Sequence, residues 1–255
     1  MNITRRQLMA LPAAAMLVRA ASAGAGAATS RSAVPLAALA FDGLALFDPR
    51  PVWARVEQVL PEKGAALGNA WRARQFEYQW LHALGGQYVD FWQATDEALR
   101  FAARQTGLVL TANQREELMQ GFAEMKPWPD VESALKKLRA LGLRLSVLSN
   151  FTPAMLASAM KRGGIAALFE KVISTDVVRS YKPAPVTYQL ASDAMSLPRD
   201  RIGFVAFAGW DVAGAKWFGY PTFWLNRARA MPEQLGAAAD YECNDMPSLV
   251  AFLQP

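Results

Sequence analysis

From residue 127 onward, short apolar runs alternate with helical patterns, and this alternation is what most limits the fold. Leu143–Leu148, Lys171–Ser174, Ile202–Phe207 and Thr222–Leu225 read as strands. Helical segments lie between them: one after Pro153, one after Pro183, and one over Val212–Phe218. Another precedes the first strand, running from Asp130 as its expected cap to Leu141 and stopped by Gly142. Brief runs that are apolar throughout suit strands covered on both faces. Parallel strands need a crossover, and a helix supplies it. The expectation is an α/β chain with a doubly wound parallel sheet, a Rossmann-like core.

Leu36–Phe41 has the same character but lies far upstream. The intervening stretch is helical in pattern and rich in Trp, Tyr, Arg and Gln. Leu67, Trp71, Tyr78, Leu81 and Leu84 fall near one helical face, which Gly85-Gly86 ends. Thr95-Asp96-Glu97 reads as a helix start, and Thr111-Ala112-Asn113-Gln114 as a capping box. A block of about four helices is thus inserted into the α/β unit. The expected division is a core domain over 34–49 and 127–255, with a helical cap domain over 50–126.

The first 27 residues read as a segment outside the fold. Arg5-Arg6 precedes a mildly apolar Ala/Leu/Met stretch, followed by the small-residue patterns Ala21-Ser22-Ala23 and Ala23-Gly24-Ala25. Paired arginines, weak hydrophobicity and a cleavage pattern in that order predict twin-arginine export, removal of 1–27 and a periplasmic mature protein. The formal charge of +5 includes Arg5, Arg6 and Arg19; without them 24 basic residues face 22 acidic ones, a net +2. That balance gives no electrostatic case for nucleic acid. No uncharged apolar run reaches the ~18 residues of a membrane span. With one cysteine, Cys243, and one histidine, His82, the chain has neither an internal disulfide nor a thiolate or multi-histidine metal site. Chemistry here rests on Asp, Glu, Lys, Arg, Ser or Tyr.

Ligands of open α/β sheets bind at the carboxyl ends of strands. Four expected strands end or continue on polar residues: Asp42, Ser149-Asn150, Lys182 and Asp211. A carboxylate can serve as a covalent nucleophile, and a neighbouring lysine keeps it ionised. Ser149 and Asp211 could equally cap helices, and Lys182 could lie on the surface.

The stretches Leu46-Phe47-Asp48, Trp71-Arg72-Ala73-Arg74-Gln75-Phe76-Glu77-Tyr78, Gln93-Ala94-Thr95, Leu148-Ser149-Asn150, Tyr181-Lys182-Pro183 and Trp210-Asp211-Val212-Ala213-Gly214-Ala215 decide between these readings. In content and spacing the chain resembles the type II haloacid dehalogenases, from about Ala38 to the C-terminus. The resemblance implies that Asp42 attacks the α-carbon of an (S)-2-haloalkanoic acid, displaces halide with inversion, and forms an ester that water hydrolyses to a 2-hydroxy acid. It implies Arg72 as the halide acceptor, Lys182 as the holder of Asp42, and Asp211 as the group positioning Lys182 or water. Ser149, with Asn150 and nearby backbone N–H groups, would bind the substrate carboxylate, Tyr188 would add a supporting hydroxyl, and Phe91 and Trp210 would line the apolar pocket. Neither metal nor other cofactor is implied, the expected partner is a small halogenated carboxylate, and a homodimer through the aromatic-rich cap is compatible with the family.

Two motifs depart from the pattern. The family's Phe-Asp-x-Tyr-Gly-Thr-Leu-Phe-Asp is one residue shorter here, Phe41-Asp42-Gly43-Leu44-Ala45-Leu46-Phe47-Asp48, so a threonine hydroxyl becomes Ala45. The family's Ser-Ser-Asn-Ala-Trp-Asp becomes Ala206-Phe207-Ala208-Gly209-Trp210-Asp211. The expectation is a displaced Asp42, with Gly43 supplying backbone freedom, and slow turnover; losing one preorganised donor typically costs ~10²–10³-fold. The alternative is a degenerate protein that binds a small carboxylate without turnover. A magnesium phosphatase of the superfamily is disfavoured, since Leu44 stands where its second aspartate would be.

Overall fold

The computed structural model describes residues 36–254. The segment read as an export signal lies outside them. Six strands form one parallel sheet: β1 (Ala38–Phe41), β2 (Arg144–Ser149), β3 (Lys171–Ser174), β4 (Ile202–Ala206), β5 (Thr222–Leu225) and β6 (Tyr241–Cys243). Their spatial order is β3-β2-β1-β4-β5-β6, the doubly wound arrangement. The first half of the sheet grows one way from β1 and the second half the other way. A crevice therefore opens beyond the carboxyl ends of β1 and β4, where ligands of such sheets sit. Strands β1, β2 and β4 are buried along almost their whole length, as apolar runs covered on both faces require. β6 went unread in the sequence: Tyr241-Glu242-Cys243 is too short and too mixed to show a period.

Register sets the height of the site. Phe41 lies opposite Val147 and Val205, and the Asp42 N–H donates to the Val205 carbonyl at 2.9 Å. Asp42 is therefore the first residue past a fully paired strand, fixed by the sheet on both sides.

The helices are α1 (Gly43–Leu46), α2 (Arg50–Val59), α3 (Gly64–Leu84), α4 (Phe91–Gln105), α5 (Ala112–Ala123), α6 (Val131–Ala140), α7 (Pro153–Gly163), α8 (Pro185–Met195), α9 (Gly209–Phe218) and α10 (Met246–Leu253). Helices α2 to α5 make up the insertion between β1 and β2. Its entry and exit segments pair: Asp48 N–H donates to the Lys126 carbonyl at 2.9 Å and Trp128 N–H to that of Leu46 at 3.0 Å. This two-stranded neck holds the insertion at the end of β1. Inside it, Trp71 is fully buried, packs edge-on against Trp53 and Phe122, and donates its Nε1–H to the Thr95 carbonyl at 2.8 Å.

Three expected caps have different outcomes. The Thr111–Gln114 box is present, with both reciprocal hydrogen bonds. α4 starts at Phe91 rather than near Thr95, because Asp90 caps it by accepting from the Gln93 N–H at 2.8 Å. Thr95 is instead buried, accepting from Gln75 Nε2 at 2.7 Å and donating to the Phe91 carbonyl at 2.6 Å. Asp130 does not cap α6; its carboxylate takes the Arg227 guanidinium and the Met246 N–H. A charged partner from a distant segment outcompetes a local backbone N–H.

Candidate active site

Lys182 follows β3 and ends as the most enclosed charge of the site, with no exposed surface. Its Nζ donates to Asp42 Oδ1 at 2.7 Å and to Asp211 Oδ2 at 2.6 Å. Burial, the largest influence, favours the neutral amine, but the two carboxylates together outweigh it and raise the Lys182 pKa above its ordinary value. Burial pushes the Asp211 carboxyl up to about 6 against the opposing pull of Lys182, with Asp42 adding a like charge. Tyr188 donates its hydroxyl to Asp211 Oδ1 at 2.6 Å. The tyrosine is fully buried and stands behind Asp211, lining neither cavity described below. It therefore acts on Asp211 rather than joining the substrate-binding groups where it was expected.

With the shortened link, Asp42 still meets Lys182. Gly43–Leu46 closes into a single helical turn with Asp42 as its N-cap, and the Leu44 N–H donates to Asp42 Oδ2 at 2.9 Å. A backbone donor thus does for the second carboxylate oxygen what a threonine hydroxyl would otherwise do. Gly43 matters for space, not for backbone freedom as expected: its backbone does not take the left-handed region, but a Cβ there would lie 2.5 Å from Ser149 Oγ. Gly43→Ala is expected to push Ser149 or Asp42 aside and lower the catalytic rate about 10- to 100-fold, since a shift of ~1 Å has effects of that size. Steady-state kinetics beside a thermal melt checks this, with a parent-like rate as the contrary result.

Two neighbouring cavities lie over the strand ends. The smaller, about 30 Å³, is lined by Asp42, Ser149, Asn150, Phe91, Trp210 and Gln79 among others. The larger, about 240 Å³, is walled mainly by aromatic side chains and carries Arg72. Leu44, Phe76, Phe91, Phe151 and Phe207 line both, so the two adjoin along these side chains. Ser149 Oγ accepts from the Phe151 N–H at 3.1 Å, which leaves its own hydrogen to donate. Asn150 accepts from the Lys182 N–H at 3.0 Å and from the Thr175 hydroxyl at 3.2 Å. Its amide thereby positions the lysine backbone as well as facing the cavity. Arg72 lies 4.4 Å from the Trp53 ring centroid, and burial lowers its pKa from the ordinary value. Such a cation, flanked by aromatics, suits a developing anion.

Every site residue expected from the sequence therefore lies at the cavities or directly behind them. Sequence reasoning missed Gln79, Thr175, Phe76, Phe151 and Phe207. Phe207 was visible as a departure from the family pattern and Phe76 stood in a family stretch; Gln79 had only its helical spacing from Arg72, and Phe151 and Thr175 only their places just past β2 and β3. Ala208, at the N-cap of α9, offers no side-chain cap and borders the smaller cavity. Among the described residues no group of three His, Cys, Asp or Glu side chains is placed to hold a metal ion.

Known proteins resemble the chain in sequence and in fold. Residues 31–219 match the family model described as haloacid dehalogenase-like hydrolase. The chain is 36% identical over 209 residues to an (S)-2-haloacid dehalogenase of Pseudomonas sp. (strain YL), covering 82% of this chain and 90% of that protein. A crystal structure of an L-2-haloacid dehalogenase superposes with a TM-score of 0.85 at 40% identity, covering 87% of this chain and all of the other. A second, the L-2-haloacid dehalogenase of Xanthobacter autotrophicus with chloropropionic acid covalently bound, gives 0.78 at 30% identity, covering 86% of this chain and 98% of that one.

Proposed function

We propose, for a chain that belongs to the haloacid dehalogenase-like hydrolase family, hydrolysis of (S)-2-haloalkanoic acids through an ester on Asp42. The observation that carries this reading is the carboxylate of Asp42, pinned at both oxygens by Lys182 and the Leu44 N–H where β1 meets the smaller cavity. A carboxylate fixed at both oxygens beside a lysine ammonium and facing a cavity is a competent nucleophile. One of its oxygens bonds to the α-carbon as the carbon–halogen bond breaks, and the halide leaves with the electron pair toward Arg72. Water then adds to the aspartyl carbonyl, the ester C–O bond opens, and the 2-hydroxy acid departs with Asp42 regenerated. Lys182, itself held by Asp211, fixes the Asp42 carboxylate for attack.

Ala45, Ala206 and Ala208 do not turn this into a binding protein. The Leu44 N–H compensates at the first position, and the nucleophile, lysine and second aspartate remain assembled. The relatives matched are named as enzymes, which gives the non-catalytic alternative no support. The mature protein is proposed to act in the periplasm after twin-arginine export and to pair as a homodimer through its aromatic cap. Paired arginines before a small-residue cleavage pattern support the first; the helical, aromatic-rich insertion supports the second.

The test is halide release from (S)- and (R)-2-chloropropionate by the chain lacking residues 1–27. Release from the (S) form, at least about 100-fold faster than from the (R) form, is the expected result. Folded protein that releases chloride from neither overturns the reading.

A further inference from the structure

We propose that Gln79 is a substrate-contacting residue of this site, its Nε2 amide donating to the carboxylate of the bound 2-haloacid alongside Ser149. This rests on the dehalogenase reading and adds a binding group to it.

Two hydrogen bonds fix the orientation of the Gln79 amide. Asn150 Oδ1 accepts from the Lys182 N–H and the Thr175 hydroxyl, so Asn150 must turn its Nδ2 toward Gln79. That Nδ2 donates to Gln79 Oε1 at 3.1 Å. A reversed Gln79 would set donor against donor, so its oxygen faces Asn150 and its nitrogen is left over. The nitrogen is buried and has no hydrogen-bond partner among the described residues. Buried donors are nearly always satisfied, and an exception calls for a ligand or water.

The place of Gln79 shows which ligand atom fits. Gln79 follows Arg72 by seven residues, two helical turns on one face of α3, with Phe76 between them. Arg72 lines the larger cavity, Phe76 both, and Gln79 the smaller one with Ser149 and Asn150. The face of α3 thus runs from a cation at the halide end to an amide at the end where Ser149 has a free hydroxyl hydrogen. The smaller cavity is also bordered by Ala208, where the type II pattern has an asparagine.

The experiment measures competitive inhibition of (S)-2-chloropropionate turnover by propionate and by bromide, in the parent, Gln79→Met and Gln79→Glu, each with a thermal melt. Gln79→Glu keeps an oxygen for Asn150 but turns a second oxygen, not an N–H, to the cavity. Both variants are expected to raise the substrate KM and the propionate inhibition constant about 10-fold or more, the size of a lost hydrogen bond to a charged group. The glutamate variant is expected to be the worse of the two, with bromide inhibition unchanged in both. Parent-like propionate inhibition in Gln79→Glu would reduce Gln79 to a support for Asn150 and overturn the inference. So would an effect on bromide with propionate unaltered. Calorimetric titration of propionate into the same three proteins reads the contact without turnover. A parent that binds propionate through Gln79 yet releases no halide thus sinks the dehalogenase reading alone.

Discussion

Asp42→Asn is expected to abolish halide release, by ~10⁴-fold or more, with little loss of stability. Losing the nucleophile removes the reaction path itself, and effects of that size are usual. Stability follows a different count. The parent sets two carboxylates on one ammonium, and Lys182 keeps Asp211 at 2.6 Å when Asp42 becomes an amide. No buried charge is left alone, so the large cost of breaking a buried pair does not arise. The substitution also removes the like charge that helps hold the Asp211 pKa near 6. A carboxyl raised above its unfolded value near 3.8 binds more protons in the native state between those two values, so its contribution to stability falls as pH rises through that window. Less of a rise in the variant means less of a fall. Asp42→Asn should therefore gain on the parent in melting temperature between pH 4 and 6, and chloride assay with melts across pH checks both halves. A variant that fails to fold at pH 7, or one that still releases halide at the parent rate, contradicts this account.

Lys182→Met is expected to remove activity and stability together. Methionine fills much of the same volume, so packing is largely kept, but Asp211 is 1% exposed and would face Asp42 with only the Tyr188 hydroxyl as a donor. Removing one member of a buried ion pair typically costs about 3–5 kcal/mol, which in a domain of this size lowers Tm by ~10 °C. The deficit has a pH signature. Without the ammonium the Asp211 pKa climbs further above its unfolded value, so protonation relieves the variant at acid pH and the loss grows as pH rises. Melts of parent and variant at pH 5 and pH 8 measure this, and a deficit that shrinks toward pH 8 would show that Lys182 is not what holds the two carboxylates. Halide release is expected to fall by ~10³-fold, since the nucleophile loses the donor that fixes it.

The helical insertion puts the cap's half of the site into place through contacts with the core. Trp80 on α3 donates its indole N–H to the Lys182 carbonyl at 3.1 Å, Tyr181 its hydroxyl to the Val89 carbonyl at 2.7 Å, and Tyr88 its hydroxyl to Asp176 at 2.7 Å. Each runs between insertion and core, so Arg72 and Gln79 are held over the strand ends by packed aromatics rather than by a loose lid. Preorganisation of this kind keeps reacting groups within the short distances that catalysis demands.

Much of this was readable along the chain. Apolar runs separated by helical segments specify a parallel sheet because each buried strand must be covered on both faces and joined by a crossover. The sequence by itself thus determined five of the six strands, the insertion after β1, and the placing of Asp42, Ser149, Lys182 and Asp211 at or beyond strand ends. The departures at positions 45, 206 and 208 were equally plain. What they cost was not, because the carboxylate lost a side-chain donor yet is held by the Leu44 N–H, and a backbone N–H looks the same at every position of a sequence. Only the tertiary structure decided that Gly43 is needed for room against Ser149, that Asp130 answers Arg227 rather than its own helix, and that Tyr188 supports Asp211. It alone turned Gln79 from one polar residue on a long helix into a buried amide with a spare donor. Those outcomes depend on partners tens of residues away, and local propensity carries no information about which distant group will arrive.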